Sequence, residues 1–151
     1  PAPKTELEPA GRVVMFLLDT NVVSQRQKRR PDVNVMAWLA TVPADAMFIS
    51  VVTLMEIQNG IELLRERDAT AAGELESWLD EIGATETILD VTPPVARAWG
   101  RLLARASQDL AADALIAATA STHDLTVATR NVADFKSFPV QVLNPFDARR
   151  T

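Results

Sequence analysis

A length of 151 residues with 48% apolar side chains supplies one ordinary domain with a full core. The 20 acidic residues outnumber the 15 basic ones and leave a formal charge of −5, which argues against broad electrostatic attraction to nucleic acid, so any nucleic-acid site has to be local or metal-assisted. Cysteine and tyrosine are absent and His123 is the single histidine, which excludes disulfides, thiol nucleophiles, thiolate zinc sites and paired-histidine ribonuclease chemistry.

Carboxylates are therefore the main acid, base and ligand candidates. Residues 1–12 hold three prolines and no helical or strand period, and are expected to be a flexible leader, with Met15 a candidate internal start. The first apolar run, 13–18, is far shorter than the roughly 20 residues that cross a bilayer. It stops at Asp19 without the signature of a secretory signal, so the expected location is the cytoplasm.

From residue 13 short apolar runs alternate with amphipathic stretches, the pattern of strands alternating with helices around a parallel sheet. Strands are expected at 13–18, 47–50, 87–91, 126–128 and 140–143. Helices are expected at 32–42, at 53–67 opened by Thr53, at 71–82, at 92–106 opened by Thr92-Pro93-Pro94, and at 111–123. In the helix at 71–82, Leu75, Trp78, Leu79 and Ile82 share one face. In the next, Val95, Trp99, Leu102 and Leu103 face inward while Arg97, Arg101 and Arg105 form an outer, solvated stripe. Trp38, Trp78 and Trp99 read as core packing rather than base-stacking platforms, and His123 as a surface residue near a helix end. The domain is expected to span 13–147, with a basic tail at 148–151.

Four acids stand out, and each has an ordinary structural alternative. Asp19 follows the first strand, where open parallel sheets bind ligands, yet Asp19-Thr20-Asn21 is also a plausible polar turn. Glu56 lies three residues after Thr53, the spacing of a capping box. Asp113 opens a helix whose amide dipoles favour its charge, with Asp109 a like charge four residues earlier. Asp134 follows Asn131 by three residues, as in the first turn of a short helix capped by Asn131. Together, all four can reach one end of the sheet. Clustered carboxylates do not all stay ionised without a cation, and magnesium or manganese suits an oxygen-only donor set.

Phe16-Leu17-Leu18-Asp19-Thr20-Asn21 and Ile49-Ser50-Val51-Val52-Thr53-Leu54-Met55-Glu56-Ile57 resemble the opening motifs of PIN-domain ribonucleases. Asp113-Ala114-Leu115-Ile116-Ala117-Ala118-Thr119-Ala120 and Leu125-Thr126-Val127-Ala128-Thr129-Arg130-Asn131-Val132-Ala133-Asp134-Phe135 resemble the second half of the VapC and FitB toxin branch. Four motifs in order, over about residues 15–146, carry more weight than any one of them. The resemblance implies a three-layer α/β/α fold with a central parallel sheet, magnesium or manganese dependence, endoribonuclease activity, a homodimer, and inhibition by a small antitoxin. It matches Asp19, Glu56, Asp113 and Asp134 to the acidic catalytic and metal positions, and Asn21 and Thr129 to polar positions beside them. Two departures are visible: Gln58 and Asn59 stand where a basic residue is frequent, and Gln25 where a glutamate is. Arg26, Lys28, Arg29 and Arg30, a basic run soon after Asp19, are candidates for the RNA backbone or simply an exposed loop.

Three other readings compete. A haloacid-dehalogenase-like phosphatase needs a second aspartate two residues after the first, and position 21 is asparagine. A response-regulator receiver wants paired acids at the first strand, which are missing. A PIN-like module that binds RNA or a partner without cutting is the remaining alternative, against which the four intact acids weigh.

Overall fold

Five short strands, all parallel, form one sheet: β1 Phe16–Leu18, β2 Met47–Ser50, β3 Ile88–Leu89, β4 Thr126–Ala128 and β5 Val142–Leu143, in the order β3-β2-β1-β4-β5. They belong to a computed structural model that describes residues 13–147; the expected leader and the basic tail lie outside the described residues. Six α-helices connect the strands: α1 Thr20–Val23, α2 Val33–Leu39, α3 Val51–Arg65, α4 Ala69–Thr85, α5 Pro93–Leu103 and α6 Ala111–His123.

Side-chain alternation along the central strand builds the three layers. Leu17 and Val127 face one side, where Leu103, Ala114, Ile116 and Ala117 of α5 and α6 bury them with Phe135 and Phe138. Phe16, Leu18 and Ala128 face the other, against Val22, Val35, Trp38 and Ile82. Trp38 meets Phe16 edge to face, with ring centroids 5.0 Å apart and planes at 84°, a geometry that aromatic quadrupoles favour. A smaller cluster of Ile61, Ala72 and Leu79 seals α3 against α4. Trp78 and Trp99 pack at the edges of the two main clusters, and the Trp99 indole N–H donates to the Ala111 carbonyl at 2.9 Å. All three tryptophans therefore serve the core. Arg97 and Arg101 lie exposed along α5, whereas Arg105 lies exposed in the turn after it, because the helix ends at Leu103 and not near 106; no helix among the described residues is long and apolar enough to cross a membrane.

Several boundaries differ from those the sequence pattern predicts. The first strand starts at Phe16 rather than 13, because the neighbouring strands offer partners only from Met47 and Thr126 onward; Val13 and Met15 are left exposed. The third and last strands shrink to two residues each for the same reason. A one-turn helix and a 3-10 turn, Ser24–Gln27, follow β1 where the pattern gave no element. The helix at 71–82 extends to Ala69–Thr85 because the Asp68 side chain caps it, accepting from the Ala71 amide at 3.0 Å.

The capping box expected of Thr53 and Glu56 does not form. Ser50, the last residue of β2, caps α3 by accepting from the Val52 amide at 3.1 Å, and the helix starts at Val51. Thr53 lies fully buried inside the first turn, and Glu56 sits one turn further on, with no capping role. Asn131 likewise makes no side-chain cap on the 3-10 turn Val132–Phe135 that carries Asp134. Replacing Ser50 by alanine removes the true cap, and is expected to lower stability by about 1 kcal/mol in chemical denaturation; an unchanged midpoint would show that the β2–α3 junction is held by packing alone.

Candidate active site

The chain winds from β1 through β2 to β3 on one side, then crosses to β4 and β5 on the other. The order therefore reverses between β1 and β4, and open α/β sheets form their binding crevice outside the carboxyl ends of the strands at such a point. Asp19 leaves the end of β1 and Thr129 the end of β4, joined by the Asp19 amide donating to the Ala128 carbonyl at 2.9 Å.

Asp19 is 5% exposed, and a buried carboxylate is costly unless its oxygens are bonded. One oxygen accepts from the Thr20 amide at 2.8 Å. The other accepts from the Thr129 hydroxyl at 2.7 Å and from the Asn21 side-chain amide at 3.4 Å. Thr129 is itself saturated, since its oxygen also accepts from Asn21 Nδ2 at 3.3 Å and from the Asn131 amide at 3.0 Å. The Asn21 side-chain oxygen Oδ1 accepts from the Arg130 amide at 3.1 Å. The polar residues beside Asp19 thus form a closed network that fixes both its position and its direction.

The remaining acids arrive on helices. Glu56 stands on α3 one turn after Thr53, whose hydroxyl meets that of Thr20 at 3.4 Å. Asp113 lies half-buried in the first turn of α6, and Asp134 is exposed on its 3-10 turn. Their proximity is read from their effect on one another. Burial pushes the Asp19 carboxyl up, against its hydrogen bonds, and the Asp134 charge adds to the rise. Glu56 is raised by local desolvation of its carboxyl, then by the charges of Asp19 and Asp113, with Thr20 opposing. Asp113 is pushed up to about 6, first by desolvation and then by Asp19 and Asp134. The like charge acting on Asp113 comes from across the fold and not from Asp109, its neighbour in sequence.

The four acids therefore share one electrostatic neighbourhood, although among the described residues no three His, Cys, Asp or Glu side chains stand close enough as placed to enclose an ion. The groups that shift Asp19, Glu56 and Asp113 are other carboxylates, hydroxyls and amides; no lysine or arginine is among them. An acidic pocket without an internal cation fits a divalent metal in donor chemistry, and magnesium, which retains several waters, needs only one or two direct carboxylates.

The basic run divides. Arg26 pairs with Glu86 and touches the Met47 sulfur at 3.6 Å, whereas Lys28, Arg29 and Arg30 are exposed. Gln25 is buried, accepting from the Asp32 amide at 2.9 Å and donating to the Asn21 carbonyl at 3.5 Å. A carboxylate in its place would have no proton for Asn21. Gln58 donates to Glu62 and Glu76 at 3.0 and 3.2 Å, tying α3 to α4. Thr20 and Arg130 carry no signal in the sequence beyond adjacency to Asp19 and Thr129, and Thr53 reads there as a helix cap, a role that Ser50 takes.

A parallel sheet whose switch point gathers four acids that act on one another defines an open-sheet α/β protein with an acidic end. The chain belongs to the PIN domain family, whose pattern matches residues 16–140. It is 35% identical over 138 residues to toxin FitB of Neisseria gonorrhoeae, covering 87% of this chain and 99% of that one. It is 34% identical over 140 residues to plasmid stability protein StbB of Pseudomonas syringae pv. tomato, covering 89% and 100%, and 30% identical over 139 residues to VapC ribonuclease Y4jK of Sinorhizobium fredii, covering 88% and 99%. In three dimensions it superposes on a chain of FitAB bound to the IR36 DNA fragment with a TM-score of 0.77 and 32% identity, covering 90% and 99%. The chain in FitAcB from Neisseria gonorrhoeae gives a TM-score of 0.72 at 33% identity, with 89% and 100% covered.

Desolvation, reinforced by mutual repulsion, has a measurable consequence in protein without bound metal. Asp113 holds its proton up to about pH 6 when folded, against an ordinary value of 3.8. Between these values the folded state binds more protons than the unfolded one, so this group adds stability as the pH falls through 6 towards 4. Asp19 and Glu56 shift in the same sense. Thermal melts in chelator from pH 7.5 to 5 are expected to show Asp113→Asn flattening this rise while melting above wild type at pH 7.5. An equal slope in both proteins would remove Asp113 from the coupled set. Asp113 suits this test because its carboxyl accepts no hydrogen bond among the described residues, whereas Asp19 also caps α1.

Proposed function

We propose that the chain is a magnesium- or manganese-dependent endoribonuclease acting as the toxin of a toxin–antitoxin pair. The observation that carries the reading is the cation-free acidic crevice at the switch point, in which the Asp113 carboxyl is pushed up to about 6 beside Asp19, Glu56 and Asp134. The relatives named toxin FitB and VapC ribonuclease supply the class of activity, and the FitAB complex supplies the precedent for a bound partner.

Asp19 and Asp113 would hold the ion, with Glu56 and Asp134 at the open rim. A bound divalent ion supplies positive charge for a phosphodiester and lowers the pKa of a water, which pure carboxylate chemistry cannot do at neutral pH. The protein's part is positional. Thr129, Asn21 and the Thr20 amide hold the Asp19 carboxylate in one orientation, so its ligand geometry is set before an ion arrives. Glu56, raised first by desolvation and then by the charges of Asp19 and Asp113, is a better proton acceptor than an ordinary carboxylate. The same acids fit an arginine from a small antitoxin, whose planar fork pairs with carboxylates through two hydrogen bonds. A homodimer and a cytoplasmic site of action complete the reading.

The test is incubation of pure protein with varied RNAs in manganese, in magnesium and in chelator, followed by mapping of cut ends. Cleavage is expected only with metal, and Asp19→Asn and Asp113→Asn are each expected to remove at least nine-tenths of it while keeping the fold. Cutting that persists in chelator would rule out the metal-dependent reading. RNA bound in manganese but left intact would instead make the chain a binding module.

A further inference from the structure

Arg130 leaves the site by an unusual route. Its main chain is locked into the acidic network, because its amide donates to Asn21 at 3.1 Å and the preceding residue, Thr129, bonds Asp19. Its side chain nevertheless does not enter the crevice, and no arginine charge acts on Asp19, Glu56 or Asp113. The guanidinium lies over the Phe146 ring, 3.8 Å from the centroid. That ring belongs to a fixed turn: the Phe146 amide donates to Asn144 Oδ1 at 2.9 Å, and its carbonyl accepts from Asn34 Nδ2 at 3.0 Å. The stack thus joins the end of β4, the turn after β5 and the start of α2.

An arginine tethered beside several carboxylates would ordinarily fold onto them and form an ion pair. Stacking on Phe146 offers the guanidinium a favourable alternative at an exposed position. The planar N–H edges remain uncommitted, with no carboxylate or carbonyl accepting from them among the described residues. Arg26, by contrast, is spent on Glu86, and Lys28, Arg29 and Arg30 have no comparable anchor. Arg97, Arg101 and Arg105 line surface hollows shared with Ser121, Thr122 and Pro139; Thr122 lies nine residues along α6 from Asp113, about 13 Å at 1.5 Å per residue.

We propose that Arg130, propped on Phe146, is the rim contact that binds the backbone phosphate next to the scissile one in a single-stranded RNA. The inference rests on the nuclease reading above and names how that site grips its substrate. A divalent ion would neutralise the acids and the phosphate they face, but a flanking phosphate would still meet a negatively charged surface. A guanidinium held at the rim removes that repulsion, and its fork matches two phosphate oxygens at once.

The experiment is steady-state cleavage of a short fluorescent RNA in manganese across a series of potassium chloride concentrations. Arg130→Ala is expected to raise KM about tenfold with kcat within threefold, and to make the slope of log KM against log salt shallower by about 0.7, the single-strand value for one lost phosphate contact. Arg130→Gln carries the same expectation and keeps the inference testable if the alanine variant fails to fold. Phe146→Leu keeps the charge and loses the prop, so KM rises while the salt slope stays near wild type. If Arg130 only staples the C-terminal turn, the Arg130 and Phe146 variants will melt earlier with KM and slope unchanged, and the proposal is overturned while the nuclease reading stands. A wild-type chain that neither cuts nor binds the RNA overturns both.

Discussion

Asp19 has to be buried at the end of the central strand and still carry charge, and the surrounding structure is arranged around that requirement. Taking a carboxylate out of water costs several kcal/mol unless its oxygens are bonded. Here one oxygen is bonded by the backbone of α1 and the other by a threonine from a strand 110 residues away. The Thr129 hydroxyl donates at 2.7 Å, an ordinary O–H···O length that also falls within the range for donation to an ionised oxygen. That bond can form only if β1 and β4 are neighbours in register, and their pairing of Leu18 with Ala128 places both residues at the same edge. Tertiary order and site chemistry are thus the same contact viewed from two sides.

The other acids contribute charge without sharing that network, and the fold supplies the rigidity to hold them there. Each comes from a helix or turn anchored in an apolar cluster: Asp113 precedes the buried Ala114, Ile116 and Ala117, and Asp134 precedes the buried Phe135. Glu56 belongs to α3, whose Val52 and Ile61 are buried on the inner side. A pattern of one polar residue immediately before apolar anchors lets repelling carboxylates be held near one another by packing that none of them takes part in.

Much of this was legible in the sequence because hydrophobic period and backbone geometry speak for the same positions. β2, α6 and β4 occur where the pattern put them, and Thr92 caps α5, its hydroxyl accepting from the Val95 amide at 3.4 Å. The four acids were legible as a set because three follow strands of a parallel sheet. The errors fell where two readings use the same letters. Thr53 followed by Glu56 three residues on is a capping box on paper, but Ser50 stands three residues earlier and caps first, which sends Thr53 into the core and frees Glu56 for the crevice. The Arg130–Phe146 stack joins residues 16 apart through a turn that no period predicts. Strand length depends on the neighbour's partners, which a single run of residues does not contain.

Charge distribution connects the composition to the proposed activity. A chain of formal charge −5 with an uncompensated acidic crevice repels polyanions from the very place where chemistry is proposed. An arginine inside that crevice would have relieved the repulsion, at the cost of filling the site with an internal ion pair. The arginine instead stacks on an aromatic ring, so that on the proposed reading a divalent ion would be needed before a phosphodiester could approach. In the proposed function the same acidity would act as a selection rule, because RNA would gain access only in the state able to act on it. On the proposed reading the raised Asp113 carboxyl and the outward turn of Arg130 answer one electrostatic constraint, a group of acids that no lysine or arginine among the described residues acts on and that would await the charge of a metal.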